Sequence, residues 1–167
     1  VLDGKLTLNW PQRSETWLPL TEAQSWLGEH PLCSEQRCHA EDIQQGLVWV
    51  TAPTQEHWIP QNIDWHQHGG VSFNKGCYTG QEIIARLQYL GKAKKALALL
   101  QADSSVDIDL LTDINEGSGK SVGEVASWRQ QQGLGLINLT ALNTGQLNIG
   151  GHTVSAQPIA YTQEQEA

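Results

Sequence analysis

A mixed α+β chain is predicted, helical and irregular up to Gly91 and strand-rich beyond it. Three observations carry this. Ile83, Ile84, Leu87 and Leu90 recur at helical spacing and stop at Gly91. From Ala96 onward the apolar runs become short and are separated by clusters of Gly, Asn, Asp and Ser, the pattern of a small barrel or sandwich. The 167 residues are 39% apolar and 17% charged, a globular composition with enough chain to bury a core without staples.

Taken in order, Leu6–Trp10 alternates, Pro11–Ser14 reads as a turn, and Trp17–Leu20 reads as the returning strand of a hairpin. Pro19 places that strand at an edge, since it has no N–H to give to a ladder. Thr21 and Gln24 predict a capping box opening a short helix through Trp26 and Leu27 that stops near Gly28. A second helix is predicted over Glu35–Gln45, ended by Gly46, and a strand over Leu47–Thr51, broken by Pro53. Residues 54–70 look irregular but carry Trp58, Ile59 and Trp65. Such a loop either covers a core or forms a pocket wall.

Beyond Gly91, strands are expected at Ala96–Leu100, Asp107–Leu111, Val122–Trp128, Gly133–Leu139, Leu147–Ile149 and Thr153–Ala156, with a tight hairpin turn over Asn148–His152. From Tyr161 onward the sequence reads as a polar tail. A domain boundary is expected between residues 92 and 93, with the barrel over 93–162 and a tail over 163–167.

The formal charge of −8 argues against non-specific nucleic-acid binding by the whole surface. Lys75, Arg86, Lys92, Lys94 and Lys95 nevertheless make one window locally basic, with only Glu82 opposing them. For Lys75 and Arg86 an anionic ligand is the favoured reading. For the three later lysines it is a solvated helix end. The three cysteines, Cys33, Cys38 and Cys77, form no regular framework, which argues for a reducing compartment rather than a disulfide scaffold. No apolar run is long enough to span a bilayer as a helix. The chain opens on Val1 in mid-pattern, from which missing N-terminal sequence is expected.

Lys75-Gly76-Cys77-Tyr78-Thr79-Gly80-Gln81-Glu82 is the segment richest in chemistry. Thr79 reads as an N-cap and Glu82 as its capping-box partner. Cys77 then lies just ahead of a helix N-terminus and two residues from an ammonium, both of which favour thiolate over thiol. From the residues alone Cys77 is a nucleophile or redox thiol, a transient contact to iron or sulfur in a client enzyme, or a small buried hydrophobe.

The longer segment Gly69–Glu82 closely resembles the signature of the YgfZ family, with Ile43–Leu47, Ile59-Pro60-Gln61 and Tyr89–Lys92 at fitting distances. These proteins are folate-binding, are associated with tRNA modification and iron–sulfur enzyme upkeep, and are similar in fold to the T-protein (aminomethyltransferase) of the glycine cleavage system. The resemblance implies a fold class in which the C-terminal part of a folate-binding, T-protein-like α/β domain (residues 1–92) precedes a small antiparallel β-barrel. It also implies a longer parent.

Matched to the motif are Lys75, Cys77, Tyr78, Gln81 and Glu82; Asn74 stands where the family often has a second lysine. The cofactor implied is tetrahydrofolate or a one-carbon derivative. Cys77 and Lys75 are the candidate catalytic residues. Lys75, Tyr78, Gln81, Arg86 and Trp58 are the candidate cofactor contacts, cations for glutamate carboxylates and rings for the aromatic part. Expected partners are iron–sulfur tRNA-modifying enzymes in the cytoplasm, with neither direct tRNA contact nor a membrane. The alternatives are a folate-dependent one-carbon (aminomethyl) transferase and a non-catalytic interaction module. No complete catalytic constellation is visible in the sequence.

Overall fold

The computed structural model of the chain describes residues 5–9, 14–30, 33–76, 78–91, 94–142 and 146–161. They form two compact units, Val1–Glu35 and Gln36–Ala167. In the first, β1 (Leu6–Asn9) pairs antiparallel with β2 (Ser14–Trp17), Leu6 opposite Trp17. The expected turn lies mostly outside the described residues. The returning strand ends at Trp17, earlier than expected, because Pro19 is the N-cap of helix α1 (Leu20–Glu29). The Thr21–Gln24 capping box does not form. The helix starts at Leu20, so Thr21 is already inside the first turn, and no side chain caps it.

Helix α2 (Glu35–Gln44) ends as predicted, with Gly46 in the left-handed region at φ 73°. Gly46 N–H and Leu47 N–H return to the carbonyls of Ile43 and Asp42, at 3.0 and 2.8 Å. The predicted strand at Leu47–Thr51 is instead an extended run with no ladder among the described residues. Side chains tie it down: the Trp65 indole donates to Val48 O (2.9 Å), and the Trp49 indole donates to Asp42 Oδ2 (2.8 Å). The irregular segment resolves into three 3-10 turns, Ala52–Thr54, Pro60–Ile63 and Trp65–His68, followed by helix α3 (Gln81–Leu90), which stops at Gly91 as expected.

The remaining strands close a six-stranded antiparallel barrel in the order β3 (Lys95–Ala102), β6 (Gln132–Asn138), β5 (Ser121–Arg129), β4 (Asp113–Glu116), β7 (Leu147–Ile149) and β8 (His152–Pro158). Strand β3 pairs with both β6 and β8, which abolishes free edges. The β7–β8 hairpin turns on Gly150 and Gly151, both at positive φ (56° and 89°), as a two-residue loop of this hand requires. The expected strand at Asp107–Leu111 is not one. Leu111 has φ 65°, which breaks the extended path, and β4 begins only at Asp113.

Alternation along β3 builds two cores. Ala98, Leu100 and Ala102 join Ile114, Val125, Trp128, Ile137, Leu147, Ile149 and Val154 in one cluster. Leu97 and Leu99 belong with Leu134, Ala126, Ile43, Val48 and Ile63 in the second, where Trp58, Trp65 and Ile159 pack as well. Residues 36–91 therefore pack onto the barrel through this second cluster. The change of secondary structure near Gly91 falls within one compact unit. Among the described residues, no helix is long and apolar enough to cross a membrane.

Candidate ligand site at the motif helix

The motif loop folds back on α3 through aromatic and amide contacts. Phe73 meets Tyr89 edge to face, with centroids 6.4 Å apart. Lys75 Nζ lies 5.6 Å above the Tyr78 ring. Such an exposed cation–π pair contributes about 0.5–1 kcal/mol, enough to bias Lys75 toward the loop rather than lock it there. Lys75 and Tyr78 are both exposed, as a ligand-facing pair must be. Cys77, the principal catalytic candidate, lies outside the described residues, as does Lys92.

Helix α3 begins differently from expectation. Its N-cap is Gly80 at φ 87°, with no side-chain cap bond, so the predicted Thr79–Glu82 capping box is absent. Gln81 takes the role instead. Tyr78 N–H donates to Gln81 Oε1 (3.1 Å), and Gln81 N–H donates to Tyr78 O (3.2 Å). Gly80 permits this because a left-handed residue there moves the first helical position to Gln81. Gln81→Ala is expected to release the Tyr78 amide and cost about 1 kcal/mol, whereas Thr79→Ala is near neutral. Amide exchange at Tyr78 checks this, since equal acceleration in both variants contradicts it.

Arg86 does not join that group. Five residues beyond Gln81, it stands on another face of α3, sharing a stripe with Ile83 and Leu87 at i, i+3 and i+4 spacing. Ile59, Ile83, Arg86, Leu87 and Gly91 line an open hollow of about 310 Å³. The walls are predominantly aliphatic, and among the described lining residues the guanidinium is the one charged group. Ile83 is 56% exposed, so its side chain is accessible at the rim of the hollow. Buried Gln61 braces the helix beside it, its Nε2 donating to Ile84 O at 2.7 Å.

Trp58, expected as a ring contact for the cofactor, is occupied elsewhere. Its indole N–H donates to Glu124 Oε1 (2.9 Å), and its ring packs on the second core. His57 Nε2 meets Glu124 Oε2 at 3.1 Å. Burial alone would raise the Glu124 pKa. The hydrogen bonds from Trp58 and His57, with the charges of His57 and Lys95, outweigh it and hold the carboxyl below its ordinary range. A depressed pKa contributes stability that is full above the unfolded value and lost as pH falls through the folded one. Glu124→Gln is thus expected to cost about 1 kcal/mol at pH 7, limited by partial exposure, with the gap to wild type narrowing as pH falls through the lowered folded-state pKa. Urea midpoints measured from neutral into acid pH check it, and a gap that does not narrow on acidification contradicts it.

Sequence reasoning missed Glu124, Asp64 and Tyr161. The Tyr161 hydroxyl donates to Asp64 Oδ2 at 2.8 Å across 97 positions of sequence, where the chain had read as the start of a tail. No local spacing signals such a pair. The one available sign was an aromatic residue just ahead of the polar stretch.

The closed barrel and its register define the class of domain. Residues 94–163 match the family described as CAF17, C-terminal beta-barrel domain. Over a longer stretch the chain is similar to the tRNA-modifying protein YgfZ of Colwellia psychrerythraea, 33% identical over 143 residues, which is 79% of this chain and 44% of that protein. The chain belongs to the YgfZ family, and it spans less than half the length of this curated relative.

Proposed function

We propose that this chain is part of a tetrahydrofolate-binding accessory protein that supports tRNA modification through the assembly or repair of iron–sulfur enzymes. The observation that carries the ligand is the aliphatic hollow on α3 with a single guanidinium among its described lining residues. At about 310 Å³ it is near the lower end of ligand-site sizes, suited to the p-aminobenzoyl-glutamate portion of a folate rather than the whole molecule. Ile59, Ile83 and Leu87 would take the aromatic linker, and Arg86 a glutamate carboxylate by paired N–H bonds. Lys75 and Tyr78 would address the rest of the ligand from the motif loop, with Gln81 holding that loop in place. Bound folate would supply one-carbon chemistry at N5 of its pterin and N10 of its p-aminobenzoyl linker; the residues described would bind and orient it.

The link to tRNA comes from the curated relative's name and from the family's motif. Under this reading, incubation with methylene-tetrahydrofolate is expected to give no steady turnover; a multiple-turnover rate would move the assignment to the transferase. In cells deprived of this protein, the wild type should restore iron–sulfur-dependent tRNA modifications and Arg86→Glu should not. Equal restoration by both would overturn the proposed site.

A further inference from the structure

Tyr161 lies three residues beyond β8, yet it is half-buried and anchored. Its hydroxyl donates to Asp64, and its ring meets His68 edge to face at 5.7 Å. The ring occupies space that exists only because residue 46 is glycine. A Cβ there would stand 2.8 Å from Tyr161 Oη, 3.1 Å from Cε1 and 3.0 Å from Ile159 Cδ1. Ile159 itself packs on the second core, so the chain leaving the barrel returns across α2's end and the 3-10 turns.

Asp64 is the joint between two of those turns. It has φ 55° and is at once the C-cap of Pro60–Ile63 and the N-cap of Trp65–His68. The first turn reaches α3 through Gln61 and Ile84 O. The second reaches the motif, since Gly70 N–H donates to Trp65 O at 2.8 Å immediately ahead of the loop. One joint thus carries both the helix and the loop that present the candidate ligand residues.

We propose that Tyr161 and Asp64 form a positioning latch, by which the segment leaving the barrel holds the Pro60–His68 turns and, through them, the motif loop and α3. The latch is built to remain closed. Burial, followed by the adjacent Asp64 carboxylate, pushes the Tyr161 phenol far above its ordinary range, so it remains a donor even in alkali that would ionise a free phenol. Burial raises the Asp64 pKa, while the Tyr161 hydrogen bond and the positive potential of His66 and His68 oppose that rise. A partner that pulled on the barrel's last strand would act on the motif through this contact.

The latch goes beyond the folate reading and rests on it only for its ligand readout. Amide exchange without ligand tests it independently. Tyr161→Phe should speed exchange at Gly70, Tyr78 and Gln81 at least fivefold, with the barrel amides of β5 and β6 unchanged, and should weaken tetrahydrofolate binding severalfold. Asp64→Asn should remain within twofold of wild type, because a carboxamide oxygen still accepts from the phenol and Asn tolerates a left-handed backbone. If Tyr161→Phe does not fold, Asp64→Gly removes the same bond from the other side without straining the left-handed backbone and should give the same local pattern. Uniform acceleration that includes the barrel, or none at the motif, overturns the latch. Altered exchange with no tetrahydrofolate binding in any form leaves the latch standing and removes the folate reading.

Discussion

Gly123→Ala is expected to destabilise the barrel by about 3 kcal/mol, the upper end of what overpacking costs. Gly123 lies on β5 opposite Ile137 of β6. A Cβ added there would stand 2.4 Å from Leu136 O and 3.0 Å from Ile137 Cα. Both are backbone atoms of a paired strand, so no side chain can swing aside to relieve the contact. Gly133 and Gly135 on β6 show the same closeness, at 2.4 Å from Ser127 O and 2.5 Å from Ile114 Cδ1. Three glycines let β5 and β6 coil tightly enough for β3 to meet β8, with the register shift between Val125 and Ser127 supplying further bend. Gly119→Ala is an unsuitable control because Gly119 has φ 83°; Gly117, with open space and no positive φ, is a sound one. Denaturant midpoints of Gly123→Ala and Gly117→Ala should therefore differ widely. Near-equal midpoints would mean that the two strands can part without loss.

Arg86→Glu should lower tetrahydrofolate affinity at least a hundredfold while leaving the melting temperature within a few degrees. The side chain is exposed, so the fold places little weight on it. It is the one charge described in an otherwise aliphatic lining. Removing a charge-assisted pair costs about 1.5–3 kcal/mol, and a carboxylate facing a carboxylate adds repulsion in the same direction. Arg86→Lys should fall between, since an ammonium keeps the charge without the planar fork. Equal affinity in all three proteins would place the glutamate tail elsewhere.

What could be read from the sequence was what local spacing encodes. The ends of α2 and α3 were legible in Gly46 and Gly91 because a helix stop is a one-residue event. Most barrel strands were legible because their apolar positions alternate or run together between turn residues. The two predicted capping boxes failed where a neighbouring residue moved the helix start, Pro19 in one case and Gly80 in the other. Leu47–Thr51 has the composition of a strand, but a strand also needs a neighbour, which no five-residue window contains.

At the site, the motif disclosed Lys75, Tyr78 and Gln81 together because they are adjacent in sequence. Arg86 was named for its charge; the hollow around it depends on Ile59 from a different turn and became visible only on folding. Trp58 shows the converse: its sequence neighbours give no sign of Glu124, 66 positions away, to which its indole N–H donates.

Calorimetric titration of tetrahydrofolate into the protein tests the central claim most directly. One saturable site is predicted, with affinity that falls in Arg86→Glu and is unaffected by a surface charge change at Arg129, which lines a separate polar hollow. No measurable binding, or binding indifferent to Arg86 and lost at Arg129, would contradict a folate site on α3.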